Sequence, residues 1–267
     1  MARKQIDIRD FDLLCEVVRS ASKVVESAKI QIGPAGLEIY GARTKMARCE
    51  LVSNSVTAQE PVEFSVENLQ MLLKTLASVK EIHAGDYSGL KFSYDQPFIR
   101  LESKKFRTKL AACNENIISQ WVSKKIETKM TPVFEFIGGG DAIKRVNQHS
   151  FMFSNPKDVR VYLETRDDME SNTVSATLGN KETSLNNEIT LKFGLVTMGT
   201  LVKDDGGVKS ERAITLDLER LNLFNAVPSD QIKFEFMDLN CLVGEVKTQG
   251  RDGSFFNFKL YCTVLKN

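Results

Sequence analysis

His83 and His149 are the two histidines of the chain. A Ser-His-Asp or Cys-His site would need one of them as its base, because imidazole is the side chain that titrates near neutral pH. Neither lies in a nucleophile motif, so both read as surface or helix-end residues. The five cysteines, Cys15, Cys49, Cys113, Cys241 and Cys262, are widely spaced and form no CxxC. They read as reduced thiols of an intracellular protein and offer no close-spaced ligand set for zinc. Gly36-Leu-Glu-Ile-Tyr-Gly41-Ala-Arg-Thr44 has the paired glycines of a phosphate loop. It lacks the Gly-Lys-Ser/Thr ending that supplies the phosphate lysine and the metal hydroxyl, and reads as a turn followed by a strand. Asp167-Asp168 and Asp204-Asp205 are paired carboxylates of the kind that bind metals. The second pair runs into Gly206-Gly207 and the first lies between strand-like segments, so both read as solvated turns. No catalytic residue, metal ligand or cofactor is expected.

The charge balance narrows the remaining classes. Lys+Arg number 36 against Asp+Glu 35, a net charge of +1, which excludes an acidic-tail protein and a globally basic DNA-coating protein. A hydrophobic fraction of 42% with 27% charged residues is that of a folded globular chain. No apolar run approaches the length that spans a bilayer, and the N-terminus has no secretory h-region, so neither a membrane segment nor a signal peptide is expected. With 267 residues the chain has room for one large domain or two ordinary ones.

Most of the sequence alternates polar and apolar residues over short runs, the pattern of half-buried strands. In the first half these are Ala28–Ile32, Gly36–Tyr40, Met46–Val52, Leu90–Tyr94 and Phe98–Glu102. In the second they are Val159–Glu164, Asn172–Leu178, Glu188–Phe193, Gln231–Phe236, Leu242–Lys247 and Phe256–Val264. Turn residues such as Gly33-Pro34, Asn155-Pro156 and Gly250-Arg-Asp-Gly253 separate them, so antiparallel hairpins follow. Four segments instead repeat apolar residues at spacings of three and four, the pattern of one-sided helices. They run from Arg9 to about Lys23, Ser65 to about Val79, Gly140 to about Ser150, and Asp217 to about Val227. Ser65, Asp141 and Asp217 are the expected N-caps.

The two halves match. Phe64-Ser-Val-Glu-Asn-Leu-Gln-Met-Leu72 parallels Leu216-Asp-Leu-Glu-Arg-Leu-Asn-Leu-Phe224 at an offset of 152 positions. Leu90-Lys-Phe-Ser-Tyr94 parallels Ile232-Lys-Phe-Glu-Phe236, and Ile6-Asp-Ile8 parallels Phe134-Glu-Phe136. Each half reads strand, helix, three strands, helix, strands, which argues for duplication. Asn114–Thr131 is polar at both ends around Ile117, Ile118, Trp121 and Val122. The expected organisation is a domain over 1–113, a linker over 114–131 and a second domain over 132–267. The apolar residues of the linker either pin it to the surface or belong to a binding patch.

An α+β chain of two such halves resembles a DNA polymerase sliding clamp, of the two-domain kind that forms trimeric rings: proliferating cell nuclear antigen and the phage-type processivity clamps. Two stretches look closest. Ala35–Leu51 is similar to the clamp's strand–loop–strand, and Ile214-Thr-Leu-Asp-Leu-Glu-Arg-Leu through Leu260-Tyr-Cys-Thr-Val264 is similar to the phage-type carboxy-terminal half. The chain lacks the acidic composition and tail of the nuclear antigen, which favours the phage-type relative. The resemblance implies a DNA-clamp fold, two similar domains each with two helices on one face of antiparallel sheets, six of which close into a pseudo-symmetric ring with helices lining the hole.

The resemblance also implies three sites. Arg19, Lys23, Lys74, Lys80, Lys144, Arg145 and Arg220 would face the phosphates of encircled duplex DNA without base specificity. A helix dipole alone also favours acids early and bases late, as in Asp12, Glu16, Arg19 and Lys23, so a solvated helix face is the competing reading. A pocket for partner peptides would involve Met46, Ile117, Ile118, Leu242, Val264 and Leu265, and would receive a DNA polymerase or an ATP-dependent clamp loader. Strand edges near Arg107–Cys113 and Glu188–Leu195 would join subunits into a homotrimer through Arg107, Lys109, Ala111, Ile189, Leu191, Phe193 and Leu195. The implied role is polymerase processivity, without enzymatic activity. The implied location is intracellular: the host cytoplasm for a viral protein, the nucleoid or nucleus for a cellular one. Two other readings stand beside it: a monomeric clamp-like subunit or one arm of a hetero-oligomeric ring, and an unrelated α+β enzyme or ligand-binding protein with a polar pocket near Asp167, Asp168 or His149.

Overall fold

The structure is a computed structural model. It describes residues 3–43, 46–113, 130–153, 155, 159–165, 172–179, 188–199, 202–205, 208–211, 214–250 and 252–265. The chain divides into two compact units, one of Met1–Glu127 with Lys247–Lys259 and one of Thr128–Val246 with Leu260–Asn267.

The first part of the chain runs β1 (Lys4–Ile8), α1 (Phe11–Val24), β2 (Ala28–Gly33), β3 (Gly36–Arg43), β4 (Ala47–Ser53), β5 (Val56–Thr57), β6 (Val62–Val66), α2 (Leu69–His83), β7 (Lys91–Asp95), β8 (Phe98–Glu102) and β9 (Arg107–Ala111). The second runs β10 (Pro132–Gly138), α3 (Gly140–Ser150), β11 (Arg160–Thr165), β12 (Thr173–Gly179), β13 (Ile189–Met198), β14 (Val202–Asp205), β15 (Val208–Glu211), β16 (Ile214–Asp217) and α4 (Leu218–Leu223). A 3-10 turn (Phe224–Ala226), β17 (Ile232–Met237), β18 (Cys241–Gln249) and β19 (Phe255–Thr263) complete it. Both therefore follow one plan: strand, helix, a group of strands, helix, three strands.

In the first unit, β5-β1-β7-β8-β9 form one sheet, and β6, β2, β3 and β4 are neighbours in another, with β19 beside β4. In the second unit the order is β16-β11-β12-β13-β10-β17-β18. The difference lies in one strand. β13 pairs with β12 and then, through Gly194–Met198, with β10. In the first unit the matching stretch is broken at Asn54 into β4, which pairs with β3, and β5, which pairs with β1.

Helix starts show how local chemistry sets the boundaries. Asp10 accepts the Leu13 N–H at 2.9 Å, Asn68 that of Met71 at 2.9 Å, and Asp217 that of Arg220 at 2.7 Å. Each satisfies a first-turn donor that has no helical partner. Ser65, expected as a cap, is instead buried in β6, because Val62–Val66 pairs with β2 and the helix starts only after Asn68. The caps Asn68 and Asp217 thus fix the repeat one helical turn away from the offset read in the sequence, since a 3.6-residue period lets an apolar face align equally well after a slip of three or four. Asp141 is also not a cap. Gly139 holds that position, where a Cβ would lie 2.6 Å from the Asp230 carbonyl oxygen, so close backbone approach selects glycine over a capping side chain.

The helices bury their apolar stripes on the sheets. In the first unit Leu14 and Val18 of α1 and Leu72 and Leu76 of α2 converge on Ile30, Ile39, Phe64, Phe92 and Ile99. The core of the second unit is aromatic. Phe136 stacks on Phe234 with centroids 4.7 Å apart, and Phe193 and Phe224 meet Phe234 at 5.9 and 5.2 Å. Such offset and edge contacts add stabilisation beyond area burial.

Candidate nucleic-acid interface

In the first unit, α1 and α2 lie antiparallel. The Lys80 ammonium near the end of α2 meets Asp12 at the start of α1 at 2.6 Å, while Gln70 at the start of α2 donates to the Ser22 carbonyl near the end of α1 at 3.2 Å. The exposed residues of α1 fall on one stripe, Asp12, Glu16, Arg19 and Lys23. On α2 they include Gln70, Met71, Lys74, Lys80 and Glu81. In the second unit Asn147 of α3 donates to Asn222 of α4, and the exposed face carries Asp141, Lys144, Arg145 and Glu219.

The seven cations expected here fall into different environments. Lys80 and Lys144 are solvent-exposed, and each is tied to a carboxylate of its own helix pair, Asp12 and Asp141. Those hydrogen bonds and charges hold both ammonium groups above the ordinary lysine range. Arg19, Lys74 and Arg145 are exposed and make no ion pair among the described residues. Lys23 is also exposed. Arg220 differs: its guanidinium bonds the carboxylate of its own cap, Asp217, its side chain is only 15% exposed, and its Nε is buried. It braces the start of α4 rather than presenting charge to solvent. Cations on the sheets are also paired with carboxylates, as in Lys29 with Glu63, Arg100 with Asp95, and Lys233 with Glu135 and Glu235.

The residues expected around a partner pocket are also dispersed. Met46 turns between β3 and β4 in the first unit, its N–H bonded to the Arg43 carbonyl at 3.0 Å. In the second unit Val264 and Leu265 are half-buried, fixed by their N–H groups on Asn240 and Thr215 carbonyls at 3.1 and 2.9 Å. Leu242 is wholly buried and supplies core, not surface, because residues 242–244 of β18 are covered on both faces. Ile117 and Ile118 lie outside the described residues.

Of the expected joining strands, β9 is the end strand of its sheet, with Arg107, Lys109 and Ala111 exposed. The Lys109 ammonium lies 3.4 Å from the Phe98 ring centroid. In β13, Ile189 and Leu191 are half-buried and Leu195 is exposed, whereas Phe193 is 3% exposed in the aromatic core. Phe193 is therefore a core residue of its own unit, not a contact left for another chain.

Among the described residues no group of three or more His, Cys, Asp or Glu side chains is placed to hold a metal ion, and no helix is long and apolar enough to cross a membrane. Asp204 and Asp205 end β14, with Asp204 opposite Lys209 of β15. Asp167 and Asp168 lie outside the described residues. His149 is half-buried with Nδ1 2.9 Å from the Arg145 carbonyl, a helix-end arrangement.

Two units of the same strand–helix plan, each with a pair of helices on antiparallel sheet, define the sliding-clamp fold. Comparison with solved structures agrees. Proliferating Cellular Nuclear Antigen from Entamoeba histolytica is similar over 99% of this chain and 98% of that one, with a TM-score of 0.65 and 13% identity. The PCNA of A. fulgidus, solved with the C-terminal region of FEN-1 bound, is similar over 100% and 99%, with a TM-score of 0.65 and 12% identity. No protein-family model and no curated protein matches the sequence. The chain has the PCNA-like clamp fold.

Proposed function

We propose that this chain is one subunit of a homotrimeric sliding clamp that encircles duplex DNA and tethers a replicative polymerase, with residues 114–131 joining its two clamp domains. The observation that carries the reading is a pair of complementary strand edges. In the first unit, β4 has β3 on one side and β19 on the other. Its counterpart β13 has β12 beside Ile189–Phe193, but β10 joins only from Gly194 onward. β9, the counterpart of β19, likewise has β8 on one side only. An open strand edge is a template for another strand. Pairing β9 of one chain with β13 of the next repeats the β19–β4 arrangement and covers both of these edges once the ring closes.

Arg19, Lys23, Lys74 and Arg145, together with Lys80 and Lys144, are the proposed phosphate contacts, and Arg220 holds the cap of α4. Affinity then comes from topology rather than from chemistry, and the protein carries no catalytic step. A closed ring needs an ATP-dependent loader to open it. Met46, Val264 and Leu265 remain the proposed contacts for partner peptides. One fold neighbour, the A. fulgidus PCNA, holds the C-terminal region of FEN-1, a precedent for terminal-segment recognition on this fold. The role places the protein inside the cell, with DNA replication.

The deciding experiment is retention on loaded plasmid. The protein stays on circular DNA and leaves after linearisation; retention on the linear form overturns encirclement. Sedimentation at micromolar concentration gives a trimer mass, and a stable 30.0 kDa species instead favours the monomeric clamp-like subunit.

A further inference from the structure

The first unit gathers positive charge on one sheet face. In β7 and β8 the side chains of Phe92, Ile99 and Leu101 are buried, so Lys91 and Arg100 share the opposite face with Asp95 and Glu102. Arg107 and Lys109 of β9 join them, lying opposite Glu102 and Arg100. Arg3 reaches the same face, donating to Ser93 and Glu102 at 2.8 and 2.6 Å. Lys104 and Lys105 are exposed at the tip of the β8–β9 hairpin. The other acids in reach are Asp7, which alternates onto this face from β1, and Asp86, whose carboxylate feels the Lys105 charge. Seven cations thus stand against four carboxylates.

The fold does not demand this excess. Phe92 and Phe234 are matched positions, pairing with Ile6 and Phe136. The opposed pair Lys91 and Glu102 then matches Lys233 and Glu245. The next pair differs: Ser93 with Arg100 in the first unit, Glu235 with Val243 in the second. The Lys104-Lys105 tip has as its counterpart Gly250-Arg-Asp-Gly253, where the charges balance. Arg100 also lies directly opposite Lys109, and like charges so placed destabilise a sheet. An anion seated beside them removes that cost.

Glu102 shows how the face holds a carboxylate. The Arg3 hydrogen bond, with the charges of Arg3, Arg107 and Arg100, holds its carboxyl below the ordinary range. Lys91, Lys104, Lys105 and Lys109 make no ion pair among the described residues. We propose that the face formed by Lys91, Arg107 and Lys109 with the Lys104-Lys105 tip docks an extended acidic segment of a partner protein, with carboxylates at alternate residues. Arg107 and Lys109 are two residues apart on one strand, roughly 6.8 Å, and an extended peptide repeats its same-side carboxylates at that spacing. A phosphodiester chain fits less well. It is charged at every unit and would run over Asp95 and Glu102. The ring of Phe98 on this face is covered by the Lys109 ammonium at 3.4 Å, which leaves no platform for a base. The inference uses the face of β9 and not its edge, so it does not depend on ring formation.

The test uses the full chain and two labelled peptides, one alternating glutamate with serine and one alternating glutamine with serine. Binding is followed by fluorescence anisotropy. The variant Lys91→Ser, Lys104→Ser, Lys105→Ser removes cations that lie off the β9 edge. The glutamate peptide binds, weakens with salt, and loses about tenfold in affinity on the variant, whose thermal unfolding is unchanged. It stays bound when Arg19, Lys74 and Arg145 of the helices are changed to glutamate; release there would place the site on the helices and overturn the proposal. Equal binding of both peptides, or equal binding to wild type and the lysine variant, overturns it too. A single-stranded oligonucleotide of equal charge that binds more tightly than the peptide, and is lost on the lysine variant, assigns the face to nucleic acid and overturns it. A fall in sedimented mass on making that variant assigns the face to a second copy of the chain, with the same consequence. A misfolded triple variant is replaced by Lys104→Ser alone, read in the same assay.

Discussion

His83 Nε2 lies 3.0 Å from the Ser103 hydroxyl, and the surrounding bonds fix which atom donates. The Ser103 oxygen already accepts the N–H groups of Lys105 and Phe106 at 3.2 and 3.0 Å. Its own proton is therefore directed to Nε2, and Nδ1–H donates to the Asp86 carbonyl at 3.0 Å. The ring is 7% exposed, so both bonds are made away from water. The ring ties the end of α2 to the turn that launches β9. Replacing His83 by alanine leaves the Asp86 and Ser103 groups without these partners and is expected to cost about 1–3 kcal/mol, read from urea unfolding. An unchanged midpoint would show that the turn is held by other contacts.

The aromatic centre of the second unit gives a larger effect. Phe136 is fully buried, stacked on Phe234 and edged by Phe193 at 6.1 Å. Phe136→Ala is expected to destabilise by roughly 3–5 kcal/mol through lost transfer energy and the cavity left behind. Phe193→Ala follows the same range, because its ring is core. Calorimetry of both variants checks this.

Reversal of Arg19, Lys74 and Arg145 to glutamate together is expected to weaken retention on circular plasmid while leaving the fold intact, since none is ion-paired among the described residues. The slope of log Kobs against log salt should fall by roughly one for each phosphate no longer neutralised. Arg220→Gln should act differently, lowering stability with little change in the salt slope. A variant set with wild-type retention sinks the assignment of these helix faces to DNA.

Burial sets the alkaline limit. The Cys15 thiol is pushed up to about 11 and those of Cys49 and Cys262 to about 12, chiefly by desolvation. The folded state then holds these protons more tightly than the unfolded chain, whose thiols titrate at about 8.5. The unfolded state gains stability by ionising first, so ΔG of unfolding falls as pH rises above about 9, by roughly 1 kcal/mol per pH unit for each such thiol. Denaturant midpoints across the alkaline range test the sign, and slow native-state alkylation of these three residues tests the burial.

Period-three-and-four spacing locates all four helices, because each buries one stripe, and period-two runs locate most strands. The start of α2 is illegible because Val62–Val66 alternates as a strand and then passes without a break into a helical stripe. Leu242 enters the expected pocket by resemblance alone, and the burial of Val243 and Gly244 beside it shows a strand covered on both faces. Arg220 carries no sequence sign of its fate, since a cap carboxylate three positions earlier pairs with it only in this rotamer.

The stripe on α1 changes sign along its length, with Asp12 and Glu16 before Arg19 and Lys23. For a duplex in the proposed ring, each attractive foothold then lies within a helical turn or two of a repulsive one. The resulting energy profile along the DNA is low in relief, with no deep well at any register. Such a lining behaves as a bearing: it centres the shaft, resists sideways escape only by being closed, and lets the shaft advance with little friction. The near-neutral chain charge becomes a statement about mobility, and making the stripe uniformly basic should slow one-dimensional diffusion even as it tightens binding.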